Sequence, residues 1–542
     1  MSGVLSDIME NQTNPAALSA APGGLLDSLV KVIRANYTII GVTVFLLWLG
    51  TQLLPSRNKL PIMNKKKWYE LSWQRTVKEF TTNTKEILQK SLDESDNKPF
   101  QLYTNQGLMT VLPPRFINEI RNEPRLDSTR HFHKAFFGAF PGFEGINKNI
   151  LWLLITLTNK YITTNLTRFT KPMSDECGQV LKEALTDAPD WHQVNPSTTV
   201  SQIVSRVATR GLLGKDFCED PNWTKSLEQY ATTFFFAAER LSVYHPYIRP
   251  IAHWFLPYCQ KLRANSAQCS SIMRGVLKKR KEAQGAALTL GKHIERSQNT
   301  IEWAQLAAKG KEYDPAQIQL SIGLGGIATT TNMLSWFLLC ISKHPECLEP
   351  LRKEIVSVLR DSEGGWKKTT IYNMKLLDSA MKESQRLKPL TLCTMRRLVL
   401  EDMTLSDGTF LPKGTMLVVS SSQLRDPQIY PNPEKFDIYR FYNMRQIAGN
   451  ENAGQFVTTS QDYSAWGHGK HACPGRFLAS NQIKIVLCHL LVKYDFRLAK
   501  GSPIDSMAFG FSIVTPPTAR IEVRRRKEEI DLDSFTLGLE DI

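Results

Sequence analysis

The stretch WGHGKHACPGRF, residues 466–477, constrains this chain more than any other. A cysteine that only fills a core needs no special backbone around it. Cys473 instead follows a Gly/His run and precedes Pro474-Gly475, a step that opens a helix pattern reaching about Lys493. Proline suits an early helical position, where its missing N–H costs nothing. Gly467, Gly469 and Gly475 allow tight turns and close approach of a flat ligand. Unpaired N–H groups at a helix N-terminus favour the thiolate, the form that binds metal. The residues alone leave three readings open: an axial thiolate behind a planar metal cofactor, a zinc site shared with His468 and His471, or a plain turn. Zinc lacks a nearby second cysteine and an obvious fourth ligand.

The chain has nine cysteines, an odd number at irregular spacings with no C-x-x-C, which predicts a reducing compartment and no disulfide framework. Its 542 residues suffice for a large core and a cofactor-sized cavity. The net charge of +15 includes clusters at 65–67, 278–281 and 524–527. They read as solvated surface, or as faces for an anionic membrane or an acidic protein partner. No zinc-finger spacing or RNP signature occurs, so nucleic acid is not expected as a partner.

Residues 37–54, YTIIGVTVFLLWLGTQLL, carry no charge. As a helix they would reach about 27 Å, near the hydrocarbon thickness of a bilayer. The run lies too far from the N-terminus for a cleaved signal peptide, although a buried core helix is an alternative. Arg57, Lys59 and Lys65–Lys67 follow it, so the positive-inside rule puts residues 56–542 in the cytosol and the first 36 in the lumen. Asn11 and Asn36 are then candidate glycan acceptors. The expected organisation is a luminal segment 1–36, an anchor 37–54, a hinge 55–69, a globular domain 70–525 and a polar tail 526–542. The expected location is the endoplasmic reticulum membrane, crossed once.

Helical patterns dominate the domain. Residues 314–345 form a long apolar helix, with Asp314 as cap, Pro315 in its first turn and Pro345 beyond its end. Residues 346–362 and 373–390 follow as amphipathic helices, then strand-like 395–400 and 415–421. Residues 509–526 read as a hairpin. The fold class is mainly α with a minor β part. Within the long helix, Gly323, Gly325 and Gly326 each cost about 1 kcal/mol against Ala, which calls for packing or ligand approach as a reason.

Two further motifs lie in order before the cysteine. Glu383-Ser-Gln-Arg386 is an E-x-x-R whose ends share one helix face, and PNPEKFDIYRF (431–441) brings Phe436 and Arg440. Together the three segments resemble the cytochrome P450 family over nearly the whole chain. GHGKHACPGRF is especially similar to the version in fungal P450s of secondary metabolism. Trp466 stands where the family has Phe, Gly469 and Gly475 match, and His471 replaces the usual Arg.

The resemblance implies haem b (iron protoporphyrin IX) with Cys473 as axial ligand of the iron. It implies a buried triad of Glu383, Arg386 and Arg440, and Arg397 as partner of a haem propionate, with Arg396 as a rival. Gly325-Gly-Ile-Ala-Thr-Thr330 resembles the oxygen-binding pattern, with Thr329 and Thr330 as catalytic candidates and Ala328 where the family has an acid. No W-x-x-x-R occurs around 150–170, which leaves a propionate partner unassigned, and His471 is a candidate for it. The implied activity is oxidation of a small apolar substrate with O2 and electrons from NADPH-cytochrome P450 reductase. A terpenoid, meroterpenoid or alkaloid intermediate is expected, bordered by residues 137–146, 232–241, 391–395 and 509–513. Ala328 leaves desaturation, isomerisation or ring rearrangement open. A non-catalytic haem- or sterol-binding membrane protein is the reading from a different class.

Overall fold

Three helices begin with the same two-residue device, a capping side chain followed by proline. Asn195-Pro196 opens Pro196–Leu213, Asp220-Pro221 opens Pro221–Ser242 and Asp314-Pro315 opens Pro315–Lys343. In the last, Asp314 accepts from the Ala316 N–H at 2.8 Å. The cap satisfies an orphan donor while proline presets φ. A computed structural model describes residues 60–70, 72–290 and 298–537, together with Asn36, Ile39, Val42 and Thr43. The anchor expected over 37–54, apart from those last three positions, lies outside the described residues, as does Asn11. The chain divides into residues 1–59 and 60–542, and the architecture below is that of the second unit.

The principal helices are α1 (Ser128–Ala135), α2 (Lys148–Leu157), α3 (Leu166–Leu185), α4 (Pro196–Leu213), α5 (Pro221–Ser242), α6 (Pro257–Thr289), α7 (Pro315–Lys343), α8 (Leu348–Asp361), α9 (Lys375–Leu387) and α10 (Arg476–Lys493). Helix α7 is long and apolar enough to cross a membrane, but 67% of its most apolar window is buried inside the domain. It packs against α2, α4, α5 and α6 as the core's central rod. At Gly323 a Cβ would stand 2.4 Å from Leu227 Cδ1, so the glycine lets α5 approach closely.

The strands are β1 (Phe100–Thr104), β2 (Gly107–Leu112), β3 (Leu126–Asp127), β4 (His192–Val194), β5 (Cys393–Val399), β6 (Met416–Ser420), β7 (Tyr494–Leu498), β8 (Met507–Phe509), β9 (Ser512–Val514) and β10 (Ile521–Arg525). The largest sheet has the order β1-β2-β6-β5-β3, with β2 and β6 parallel and its other pairs antiparallel. Alternation sends Met109, Val111, Met416 and Val418 to one core cluster and Leu112, Leu417 and Val419 to another. The β5–β6 register shifts between Thr394 and Arg397, and alternation along β5 leaves Arg396 accessible and Arg397 buried.

The hairpin expected over 509–526 is not one element. Strands β8 and β9 turn at Gly510-Phe511, with Phe509 opposite Ser512, whereas β10 pairs with β7 and β4. Pro516 and Pro517 have no N–H to donate, so the first ladder ends before them. The segment read as a polar tail stays on the domain as far as it is described. Leu532 and Phe535 are buried, and Thr536-Leu537 pairs with Gly365-Trp366.

Candidate active site

The Cys473 loop is held from outside by its own turns. Gly467 and Gly469 have φ of +72° and +77°, and a Cβ at Gly469 would lie 2.5 Å from the Arg121 carbonyl oxygen. The Trp466 carbonyl accepts from the Cys473 N–H at 2.8 Å, while its indole Nε1–H donates to the Phe456 carbonyl at 2.8 Å. Burial pushes the Cys473 thiol up, and the backbone N–H groups of Gly475 and Arg476 pull it back toward the thiolate. Protein surrounds the sulfur, yet the residue keeps accessible surface, as a group facing an internal hollow does. A Cβ on Gly475, whose φ of −82° is ordinary, would meet nothing within 4 Å. That glycine answers to open space rather than to a turn.

Zinc does not fit here. His468 turns to Thr459 Oγ1 (2.9 Å) and Arg121 Nη1 (3.2 Å), and His471 Nδ1 turns to Ser128 Oγ (3.2 Å). Among the described residues no group of three or more His, Cys, Asp or Glu is placed to hold a metal ion.

Helix α7 carries an open stripe near its middle in a mostly buried rod. Ile322, Gly325, Gly326 and Thr329 fall at i, i+3, i+4 and i+7 and keep accessible surface, with Ala328 beside them. A Cβ at Gly325 or Gly326 would meet nothing. Thr329 Oγ1 donates to the Gly325 carbonyl at 2.5 Å, whereas Thr330 is only 2% exposed and lies among the buried residues. The structure therefore puts Thr329 on the open face and Thr330 off it.

A third element supplies charge without a counter-ion. Arg397 on β5 is 2% exposed. It donates to the Arg396 carbonyl (2.9 Å) and the Met395 sulfur (3.7 Å), and its Nε has no partner. Burial lowers its pKa to about 10. Among the described residues no carboxylate pairs with it, although Asp127 is near enough to be felt. Two imidazoles share its surroundings. His471 is lowered to about 4, by burial and then Arg397, and its Nε2 is unpartnered. His131, on α1, is fully buried, with Nδ1 3.0 Å from the Arg397 carbonyl and an unpartnered Nε2. Burial, then Arg396, lowers its pKa to about 3. Sequence reasoning missed His131, because only the fold brings α1 beside β5. A buried cation with three unsatisfied nitrogens around it fits an acidic ligand, because a carboxylate there would pair with Arg397 and draw protons onto the imidazoles.

The triad assembles as a separate, closed unit. Arg386 Nε and Nη2 each donate to Glu383 at 2.8 Å, and Arg440 Nε donates to Glu383 Oε1 at 3.1 Å. Arg386 Nη1 also reaches the Leu424 carbonyl (2.8 Å) and Arg440 Nη1 the Pro431 carbonyl (2.8 Å).

A cysteine loop with N–H groups at its sulfur, a helix opened by glycines and a counter-ion-free cationic cradle are the parts that a haem-thiolate protein needs. The cytochrome P450 family model matches residues 153–522. Cytochrome P450 monooxygenase hepE of Aspergillus oryzae is 41% identical over 477 residues, 87% of this chain and 87% of that protein. Cytochrome P450 monooxygenase esdpI of Penicillium shearii is 36% identical over 517 residues, 94% and 99% of the two chains. The solved structure of retinoic acid bound cyanobacterial CYP120A1 is similar with a TM-score of 0.62 at 18% identity, over 87% of this chain and 100% of that one. The chain belongs to the cytochrome P450 family and is a monooxygenase of that family, and the family and fold imply haem b as its cofactor.

Proposed function

We propose that this protein is a membrane-anchored monooxygenase of fungal secondary metabolism. Its substrate is a bulky apolar terpenoid, meroterpenoid or alkaloid intermediate, and its electrons come from NADPH-cytochrome P450 reductase. The observation that carries the site assignment is the Cys473 thiol, partly accessible inside the protein, with burial raising its pKa and the Gly475 and Arg476 N–H groups directed at the sulfur. Haem, when bound, would supply the activation of O2, and Cys473 would hold it. Arg397, His471 and His131 would hold its acidic groups, the two histidines serving where the W-x-x-x-R is missing. Thr329 handles protons on the oxygen side through its hydroxyl, whose present acceptor is the Gly325 carbonyl. Trp466 and Gly469 fix the loop, and Gly475 keeps its inner side clear.

Several exposed apolar side chains support a membrane partner. Tyr247, Ile248, Ile251, Trp254 and Phe255 are all at least half exposed, an apolar face for the domain itself. Exposed Lys470 and Arg121 on the Cys473 side suit an acidic reductase. An apolar substrate suits the accessible Phe137, which packs on the buried Phe143 and through it toward Phe234 of α5.

The test is the absorption spectrum of the reduced protein under carbon monoxide, beside Cys473→Ala. A red-shifted Soret band in the wild type, lost in the variant, supports the reading, and no haem band in folded wild type defeats it. Ala328 keeps one second reading, a desaturase or rearranging enzyme. Product analysis with labelled O2 separates the two, since only monooxygenation leaves the label in product.

A further inference from the structure

Strand β5 carries a second arginine in need of an anion. Arg396 is enclosed by protein but keeps accessible surface. Its Nη1 donates to Gln106 Oε1 at 3.3 Å and its Nη2 to Thr391 Oγ1 at 3.2 Å, both neutral acceptors. These are longer than charge-assisted bonds to an anion, which run about 2.7–2.9 Å. The guanidinium lies 5.9 Å from the Phe511 ring centre, and Phe511 packs edge-on against Phe80. Among the described residues no carboxylate pairs with Arg396, and the ionisable groups that feel it are Cys393 and His131. A buried guanidinium without an anion is costly to keep, so its presence calls for a partner.

Arg396 is linked to the open face of α7 by the β8–β9 hairpin. Phe511, at the hairpin's turn, accepts through its carbonyl from the Leu392 N–H and Thr391 Oγ1. At the other end, Asn332 Nδ2 donates to the Ile513 carbonyl at 2.7 Å, three residues along α7 from Thr329. One hairpin therefore touches both the unpaired cation and the helix face that bears Thr329. A molecule lying along it would meet Arg396 with one end and the reactive centre with the other.

We infer that Arg396 binds a carboxylate of the substrate, so that the preferred substrate is an apolar skeleton bearing one acid group, anchored by that group with its far end beside Thr329. This rests on the haem-monooxygenase reading above. One guanidinium matches the single charge of a carboxylate and its two oxygens, and displacing the bonds to Gln106 and Thr391 frees both Nη groups for it. A phosphate would need further cations, which Phe511 and Phe80 do not supply.

The experiment titrates the Soret shift of the haem-loaded full chain with dodecanoic, farnesoic and abietic acids and with their methyl esters. In wild type at least one acid is expected to bind tenfold or more tightly than its ester. Arg396→Gln is expected to weaken that acid at least tenfold and leave the ester within twofold, and Arg396→Lys to restore part of the preference. Acids that bind no better than esters, including no binding at all, overturn the inference, as does a preference that survives Arg396→Gln. Folded Arg396→Gln that has lost its carbon monoxide band also overturns it, since Arg396 would then serve the haem. If Arg396→Gln does not fold, Gln106→Glu decides: the carboxylate it sets against the guanidinium should erase the preference, and a preference that persists overturns the inference. A wild type without the band defeats the proposed function instead, so the two failures are distinguishable.

Discussion

Glu383 shows how much one residue carries here. It is 0% exposed and faces two arginines, one of them equally buried. Removing its charge leaves Arg386 buried among neutral partners, the Leu424 carbonyl and the Tyr430 ring among them. Breaking such a buried pair from one side costs about 3–5 kcal/mol. Glu383→Gln is therefore expected to lose that much in a urea titration, with haem released across the same transition. Arg440→Ala should cost less, because Glu383 keeps both bonds from Arg386. Helical periodicity put Glu383 and Arg386 on one face, but their burial with Arg440 was only what the family resemblance implied. Gly and Pro marked the Cys473 loop, and the family resemblance chose among the readings the loop left open. His131 was not legible: it meets β5 across 266 residues, and no local pattern announces such a pairing. Arg396 stood as a rival to Arg397, and strand alternation leaves Arg396 accessible and Arg397 buried.

At the scale of the element, α7 gives the clearest lesson. Its cap, length and end followed from Asp314, Pro315 and Pro345, and the structure starts it at Pro315 and ends it at Lys343. Its three glycines looked alike in sequence but answer to different neighbours. Gly323 lies against Leu227, whereas Gly325 and Gly326 face open space. Gly323→Ala should push α5 away and cost about 1–3 kcal/mol, the usual penalty of overpacking. Gly325→Ala should instead stabilise the apo chain by up to about 1 kcal/mol, the helix-propensity gain. It should also weaken ligand binding by narrowing the hollow. Thermal melts and azole-binding titrations of the two variants check the opposed signs. The 509–526 region was misjudged for a related reason. Strand propensity finds strands, but β10 takes its partner from β7, a choice made by tertiary packing.

For the molecule as a whole, the C-terminal segment helps set stability and its pH dependence. Asp533 pairs with Lys493 at 2.6 Å on α10, and its Oδ1 lies 2.4 Å from where a Cβ on Gly178 of α3 would stand. Truncation after Arg525 would leave Lys493, 1% exposed, without its anion, at a cost of about 3–5 kcal/mol. Close by, His489 is fully buried, with Nε2 2.8 Å from Ser174 Oγ. Burial, reinforced by Lys493, holds its pKa well below 6.5. A histidine lowered in the folded state binds its proton more readily when unfolded. Its contribution is therefore fully present above pH 6.5 and declines as the pH falls below that value, by about 1.4 kcal/mol per unit for one proton. Asp533 adds loss at lower pH: burial opposes its charge, but Lys493 outweighs burial and holds the carboxyl below 3.8, so its contribution fades only below that range. Chemical denaturation between pH 8 and 4 should thus show stability falling below about 6.5. His489→Gln should flatten that slope by one proton while leaving the Lys493–Asp533 pair intact. An unchanged slope in His489→Gln would assign the acid sensitivity to other groups, with His131 the first to examine, since its pKa is lowered in the same direction.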